Sequence, residues 1–210
     1  MTENMEVYKD LSNDQLIQVI LGLKGEINKL NDDFKKVVNL RLYHLERNQN
    51  MYMQYGRRES FEIVGIPQNI PDDKLEDEVI DIMKEAKVSV NRQPMKKMDI
   101  SAVHRLADKK TTIVRVVNRK YSRQAIINGR NLKDTKRYGD NSIFINNSFC
   151  YEFKFLNFVI RKAAREHSIF KYKIRNGVTY VQMTEEQNFV QIGHVMDLEN
   201  LGIQIPPRKM

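Results

Sequence analysis

The side chains best suited to chemistry in this sequence are cations, and they are unevenly distributed. From Arg92 to Arg137 run Arg92, Lys96, Lys97, Arg105, Lys109, Lys110, Arg115, Arg119, Lys120, Arg123, Arg130, Lys133, Lys136 and Arg137, against only Asp99, Asp108 and Asp134. The preceding stretch, Pro71 to Val90, is the reverse: Asp72, Asp73, Glu76, Asp77, Glu78, Asp81 and Glu85 outnumber Lys74, Lys84 and Lys87. Guanidinium groups pair bidentately with phosphate and stack on planar rings, while ammonium groups act as point charges. A segregated cationic surface is what phosphate neutralisation requires. The formal net charge of +8 and pI of about 9.4 point the same way. The two anionic candidates are nucleic acid and a membrane surface.

Other chemistry is sparse. His44, His104, His167 and His194 are scattered singly, with no second His or Cys at metal-ligand spacing. Gly22-x-x-Gly25 lies in a helical pattern and lacks the Lys-Ser/Thr of a phosphate loop. There is no GxSxG, and Cys150 stands alone, so no disulfide forms within one chain and a reducing compartment fits. Asp72-Asp73 is explained by helix capping. His104 is expected to be packed or hydrogen-bonded. No catalytic residue, metal or cofactor is expected, and a binding protein is preferred to an enzyme.

An arm positions these cations at one end. Ser12 and Gln15 make a capping box, with Leu11 and Leu16 placed as a hydrophobic staple, so a helix starts near Asn13. Leu16, Ile20, Leu23, Ile27, Leu30, Phe34 and Val37 then step by four and three, a heptad seam. The strict phase would bring Arg41 and His44 into the seam. A shift to Val38, Leu42, Leu45 and Tyr52 restores an apolar stripe, which reads as a stutter. A self-associating parallel coiled coil, dimer or trimer, is expected over an amphipathic helix packed on its own domain. Gly56, Arg57 and Arg58 follow, where the helix can end and the flanking domains can swing.

Next come a strand at Ser60–Gly65, a helix from Asp72 burying Leu75, Val79, Ile82, Met83 and Ala86, and strands at Ile100–Leu106 and Thr111–Val117. A helix capped by Asn118 buries Tyr121, Ala125 and Ile126, and a strand at Ile143–Asn146 closes the set. The order is βαββαβ, the split βαβ arrangement of ferredoxin-like and RNA-recognition folds, with one face of the sheet left open. Val114 and Val116 point to the helices, which puts Arg115 on the open face of a central strand. Lys109, Lys110, Arg119 and Lys120 flank it. The aromatic pair with which a standard RNA-recognition motif stacks bases is missing, which favours backbone binding over base reading.

In the last segment, Phe149, Phe153, Leu156, Ile160, Ala163 and Ala164 share a helix face, with Lys154, Arg161, Lys162 and Arg165 elsewhere on it. Asn176-Gly177 turns a hairpin that presents Lys171, Lys173 and Arg175 on one face. Thr184 and Gln187 suggest a capped helix to about Asn200, with Phe189, Ile192 and Met196 inward and Gly202 ending it. Phe149, Phe153 and Phe155 are expected in the core, Tyr172 and Tyr180 in stacking positions.

QYGRRESFEIVGIP, SAVHRL, TTIVRVVNRK and IFIN, in that order, resemble the first open reading frame proteins of LINE retrotransposons and the few-polyhedra protein of baculoviruses. The likeness covers about Tyr43 to Met183; no single motif is diagnostic, but their co-linearity is specific. It implies a self-associating binder of single-stranded nucleic acid with a non-standard RNA-recognition fold, a C-terminal domain and a chaperone role. By motif position Arg57, Arg58, Arg105, Arg115 and the basic face of the helix after IFIN (Arg161, Lys162, Arg165) carry contacts. The absence of a long basic tail before the coil departs from the pattern, and the shorter chain leans to the viral branch.

The expectation is an α+β protein: a coiled-coil oligomerisation arm at 1–57, an RRM-like domain at 58–147 and a small α/β helix–hairpin–helix domain at 148–210. Oligomerisation falls to Leu16, Ile20, Leu23, Ile27, Leu30, Phe34, Val38, Leu42 and Leu45. Nucleic-acid binding, RNA favoured and largely sequence-independent, falls to Arg57, Arg58, Arg105, Lys109, Lys110, Arg115, Arg119, Lys120, Arg123, Arg161, Lys162, Arg165, Lys171, Lys173 and Arg175. The alternative is a coiled-coil scaffold or adaptor in virus assembly whose basic surface docks on acidic protein. A membrane binder is weaker, for want of a lysine-rich amphipathic helix. No secretory signal and no span of about 20 apolar residues is seen, so an intracellular protein, in cytoplasm or nucleus, is expected.

Overall fold

The computed structural model describes residues 12–132, 135, 137–139 and 142–207. Leu11 of the expected staple, Lys133, Asp134 and Lys136 of the basic stretch, and the end of IPPRKM lie outside them. The fold is mixed α+β, and the chain divides into two compact units, Met1–Glu46 and Arg47–Met210.

Helix α1, Asn13–Tyr55, opens where the cap requires. The Ser12 N–H donates to Gln15 Oε1 at 2.8 Å and the Gln15 N–H to Ser12 Oγ at 3.3 Å. Within the first unit the apolar stripe is uncovered in the single chain. Ile20, Leu23, Ile27, Leu42 and Leu45 are exposed, and Leu30 and Phe34 are 72% and 67% exposed. Leu16 and Val38 are half-buried.

The second unit begins inside α1, at Arg47, where a boundary near residue 57 is expected from sequence. Its first layer is a four-stranded antiparallel sheet: β1 Ser60–Val64, β4 Ile100–Arg105, β5 Thr111–Val116 and β6 Phe144–Asn147, in the order β4-β5-β1-β6. Helices α2 (Leu75–Glu85) and α3 (Arg119–Asn128) cover one face. Phe61, Ile63, Val114, Val116 and Ile145 from the strands share one buried cluster with Leu75, Val79, Ile82 and Met83 of α2 and Tyr121 and Ala125 of α3. The period-2 and period-3.6 patterns both point into that cluster. Asn118 Oδ1 accepts from the Lys120 N–H at 3.0 Å and so caps α3. A short hairpin, β2 Ser89–Val90 with β3 Gln93–Pro94, follows α2 and has no counterpart in the sequence reading. Two non-glycine residues at positive φ, Asn91 and Arg92, make its turn.

Helix α4, Tyr151–Arg165, packs on a second sheet of β7 (Lys171–Arg175), β8 (Val178–Gln182) and β9 (Val190–Ile192), in the order β7-β8-β9. Here one expectation is overturned. Thr184 does not open a helix to Asn200. The chain pairs as strand β9 and then forms only the short α5, Val195–Glu199. Val190 and Ile192 alternate about Gln191, a strand pattern that buries Ile192, and Gly193 interrupts any helix. The cap used is His194, with Asp197 accepting from the Gly193 and His194 N–H groups at 2.7 and 3.0 Å. Phe149 and Phe153 are buried and Phe155 half-buried, as expected. Tyr172 and Tyr180, expected in stacking positions, are half-buried against the two clusters of this half. His104, expected to be packed or hydrogen-bonded, is exposed on β4.

The end of α1 is fastened to this half. Gln54 is 1% exposed; its Nε2 donates to the Ser148 carbonyl and its Oε1 accepts from the Cys150 N–H, both at 3.0 Å. Asn50 donates to the Gly193 carbonyl at 3.1 Å, and the Arg47 guanidinium meets Asp197 at 3.2 Å. The expected swing at Gly56 is therefore replaced by a clamp, since residues on both sides of Gly56 are tied to Ser148.

Gln54→Ala is expected to lower the unfolding free energy by about 2–4 kcal/mol, because it leaves a buried carbonyl and a buried N–H without partners. Denaturant unfolding followed by tyrosine fluorescence reads this. A loss below about 0.5 kcal/mol, the scale of an ordinary surface substitution, would show that the amide is not a clamp.

Candidate nucleic-acid interface

The predicted cations separate into three groups. Arg57, Arg58, Arg119, Lys120, Arg123 and Arg175 line one groove of about 470 Å³. Its walls are the turn after α1, the start of β1, one side of α3, the end of β6 and the β7–β8 tip. Among the described residues no carboxylate lines it.

Each wall follows from a local rule. Arg119 and Arg123 are four apart on α3 and so share a side of it. The Asn176-Gly177 turn needs positive φ at both residues, 53° and 73°, and so brings the tip close. A Cβ on Gly177 would sit 2.7 Å from Gln54 Nε2, so the clamp approaches the tip closely only because residue 177 lacks a side chain. Arg57 Nη1 donates to Ser148 Oγ at 3.2 Å, and Ser148 Oγ lies 3.4 Å from Glu62 Oε1. The Arg58 guanidinium lies 4.3 Å from the Tyr55 ring centroid, a cation–π contact. Its Nε is buried with no hydrogen-bond partner. The first turn of α3 holds no acid. Cations beside a helix N-terminus oppose the macrodipole by about 0.3–1 kcal/mol each. The folded chain bears that cost, and an anion placed there would reverse it.

The second group is exposed but away from the groove. Arg115 stands on β5 between β4 and β1, which makes it a central-strand residue, and it pairs loosely with Glu59 at 3.7 Å. Such an exposed pair is worth little and exchanges readily. Beside it, Glu62 is buried under Ser148 and meets Lys154 at 3.1 Å, so the face expected to be open is partly covered. Lys110 is exposed in the β4–β5 turn, which Asp108 organises. Backbone and hydroxyl hydrogen bonds from Thr111 hold the Asp108 carboxyl below its usual range. Arg161, Lys162 and Arg165 are exposed on α4, with Lys162 near Glu166 at 3.7 Å. Lys171 is exposed, and Lys173 Nζ sits 3.5 Å from the Phe189 ring centroid.

The third group is engaged in internal contacts. The Arg105 side chain is 9% exposed, and its fork donates to the carbonyls of Ile66, Pro67 and Ile70 at 3.3, 2.8 and 3.0 Å. Its Nε meets Asp72 at 3.4 Å. It fastens the loop after β1, and together with Lys109 it lines a depression separate from the groove. Arg137, counted from sequence with the phosphate-facing cations, is bound by Glu78 at 2.6 Å and Glu85 at 3.2 Å. Lys97 pairs with Asp77. Tyr138, hydrogen-bonded to Glu78, has its hydroxyl pushed up to about 12, by burial first and by that carboxylate second. Part of the charge segregation in the sequence is thus internal pairing between α2 and later cations.

Sequence reasoning missed Ser60, Asn147 and Ser148 in the groove, and also Ile126, Ile127 and Ile174. The only available signal was the spacing of 123, 126 and 127 on α3. Among the described residues no group of His, Cys, Asp or Glu could hold a metal, and no helix is long and apolar enough to cross a membrane. A comparison with protein-family models finds no match, and no curated protein matches the chain.

Arg105→Met is expected to cost about 1.5–3 kcal/mol of stability through the freed loop carbonyls. Oligonucleotide affinity per folded molecule should not change. A drop in affinity at unchanged stability would restore Arg105 to the ligand surface.

Proposed function

We propose that this chain is an oligomeric, largely sequence-independent binder of single-stranded nucleic acid, RNA favoured, with a chaperone role and of viral or mobile-element origin. The observation that carries the reading is the groove: six cations from three segments converge, with no acid among the described residues that line it. Multiple basic contacts to a backbone give affinity without sequence preference. The strand order β4-β5-β1-β6, with two helices on one face, supports an RRM-like sheet beneath the groove. The uncovered stripe on α1 supports a coiled-coil arm, since an apolar surface of that extent marks an interaction site. Self-association would multiply grooves along one strand and raise avidity.

Retention of a single-stranded oligonucleotide at several salt concentrations tests this. The log of the affinity should fall linearly with log salt, with a slope of up to roughly −4 if all six cations meet phosphates. Arg123→Gln should weaken binding to every sequence and make the slope shallower by about 0.7–1. Light scattering of the same samples should give a mass above that of a monomer. No retention at low salt would instead favour the scaffold reading, in which the basic surface docks on acidic protein.

A further inference from the structure

The groove is graded, and the gradient points to more than phosphate tracking. Along α3, Arg119 and Arg123 stand toward the N-terminus and Ile126 and Ile127 one turn further on. The rise from Arg123 to Ile127 is about 6 Å along the axis, the scale of a phosphate-to-base separation within one nucleotide. Across from α3, the β7–β8 tip repeats the pairing, with Arg175 beside Ile174. Two of these isoleucines have packing roles. Ile126 rests on the sheet core and Ile174 on the small cluster around Phe153. Ile127 belongs to neither cluster and is 41% exposed. A groove built only to follow a polyanion would have no use for an exposed aliphatic side chain between its cations.

We propose that the groove takes one nucleotide unit of the strand, its phosphate at the cationic end and its base laid against Ile127. This rests on the single-strand reading above. An aliphatic contact of this kind buries part of any base and offers no hydrogen-bonding group, so it adds affinity without adding sequence preference. The cavity of about 470 Å³ is within the range of small-ligand sites and matches a single unit rather than a folded element.

The test compares the full chain's binding to an oligouridylate of about 20 nucleotides and to an abasic strand of equal length and charge. The oligouridylate should bind several-fold more tightly. Ile127→Ser should weaken oligouridylate binding roughly three- to tenfold and leave the abasic strand unchanged. Ile127→Phe should tighten the first and not the second, a gain that misfolding cannot produce. Equal affinity for the two strands, or equal effects of the variants on both, would overturn the base contact while leaving the phosphate reading in place. Failure of both strands to bind at low salt would overturn both.

Discussion

A single buried amide holds the groove together. Gln54 reaches from the last turn of α1 to the Ser148 carbonyl and the Cys150 N–H, and it lies against Gly177 at the hairpin tip. It thereby joins three of the groove's walls: the turn carrying Arg57 and Arg58, the link from β6 to α4, and the tip carrying Arg175. Buried amides are costly unless both ends are paired, so this position admits few alternatives. The helix end is consequently part of the groove, in addition to closing an arm.

That dependence explains where the sequence was legible and where it was not. The caps of α1 and α3, the alternation in β1 and β5, and the Asn176-Gly177 turn are local rules, and each formed where its residues required. The position of Arg115 on a central strand was readable because Val114 and Val116 fix the inward parity. The helix expected after Thr184 failed because two competing local signals were present, and pairing of β9 to β8 decided between them. Gln54 carried no signal at all. A glutamine near a helix end is ordinary, and its partners lie more than ninety residues away.

The cations show the same division. Composition alone treats Arg105, Arg137 and Arg123 as equivalent. In the fold, two of them meet carboxylates of the acidic stretch, Asp72 for Arg105 and Glu78 for Arg137, and their forks are consumed. Arginine suits such sites because its planar fork serves several acceptors at once. Charge counted along the sequence therefore overstates the free cationic surface, and the excess is used as internal fastening between the acidic stretch and the elements after it.

What remains in the groove is an unbalanced set. Six like charges share one cavity, two of them in the first turn of a helix, and one guanidinium nitrogen is buried without an acceptor. Each of these lowers stability in the empty protein, and each is relieved by the same thing, an anion with several oxygen acceptors. A surface shaped only for folding would have interspersed acids, as the rest of the unit does. The clamp at Gln54 is what allows the imbalance, since it holds the walls close against their mutual repulsion. On the proposed reading binding strength and fold stability are opposed at this site, and the buried amide sets how far the opposition can go.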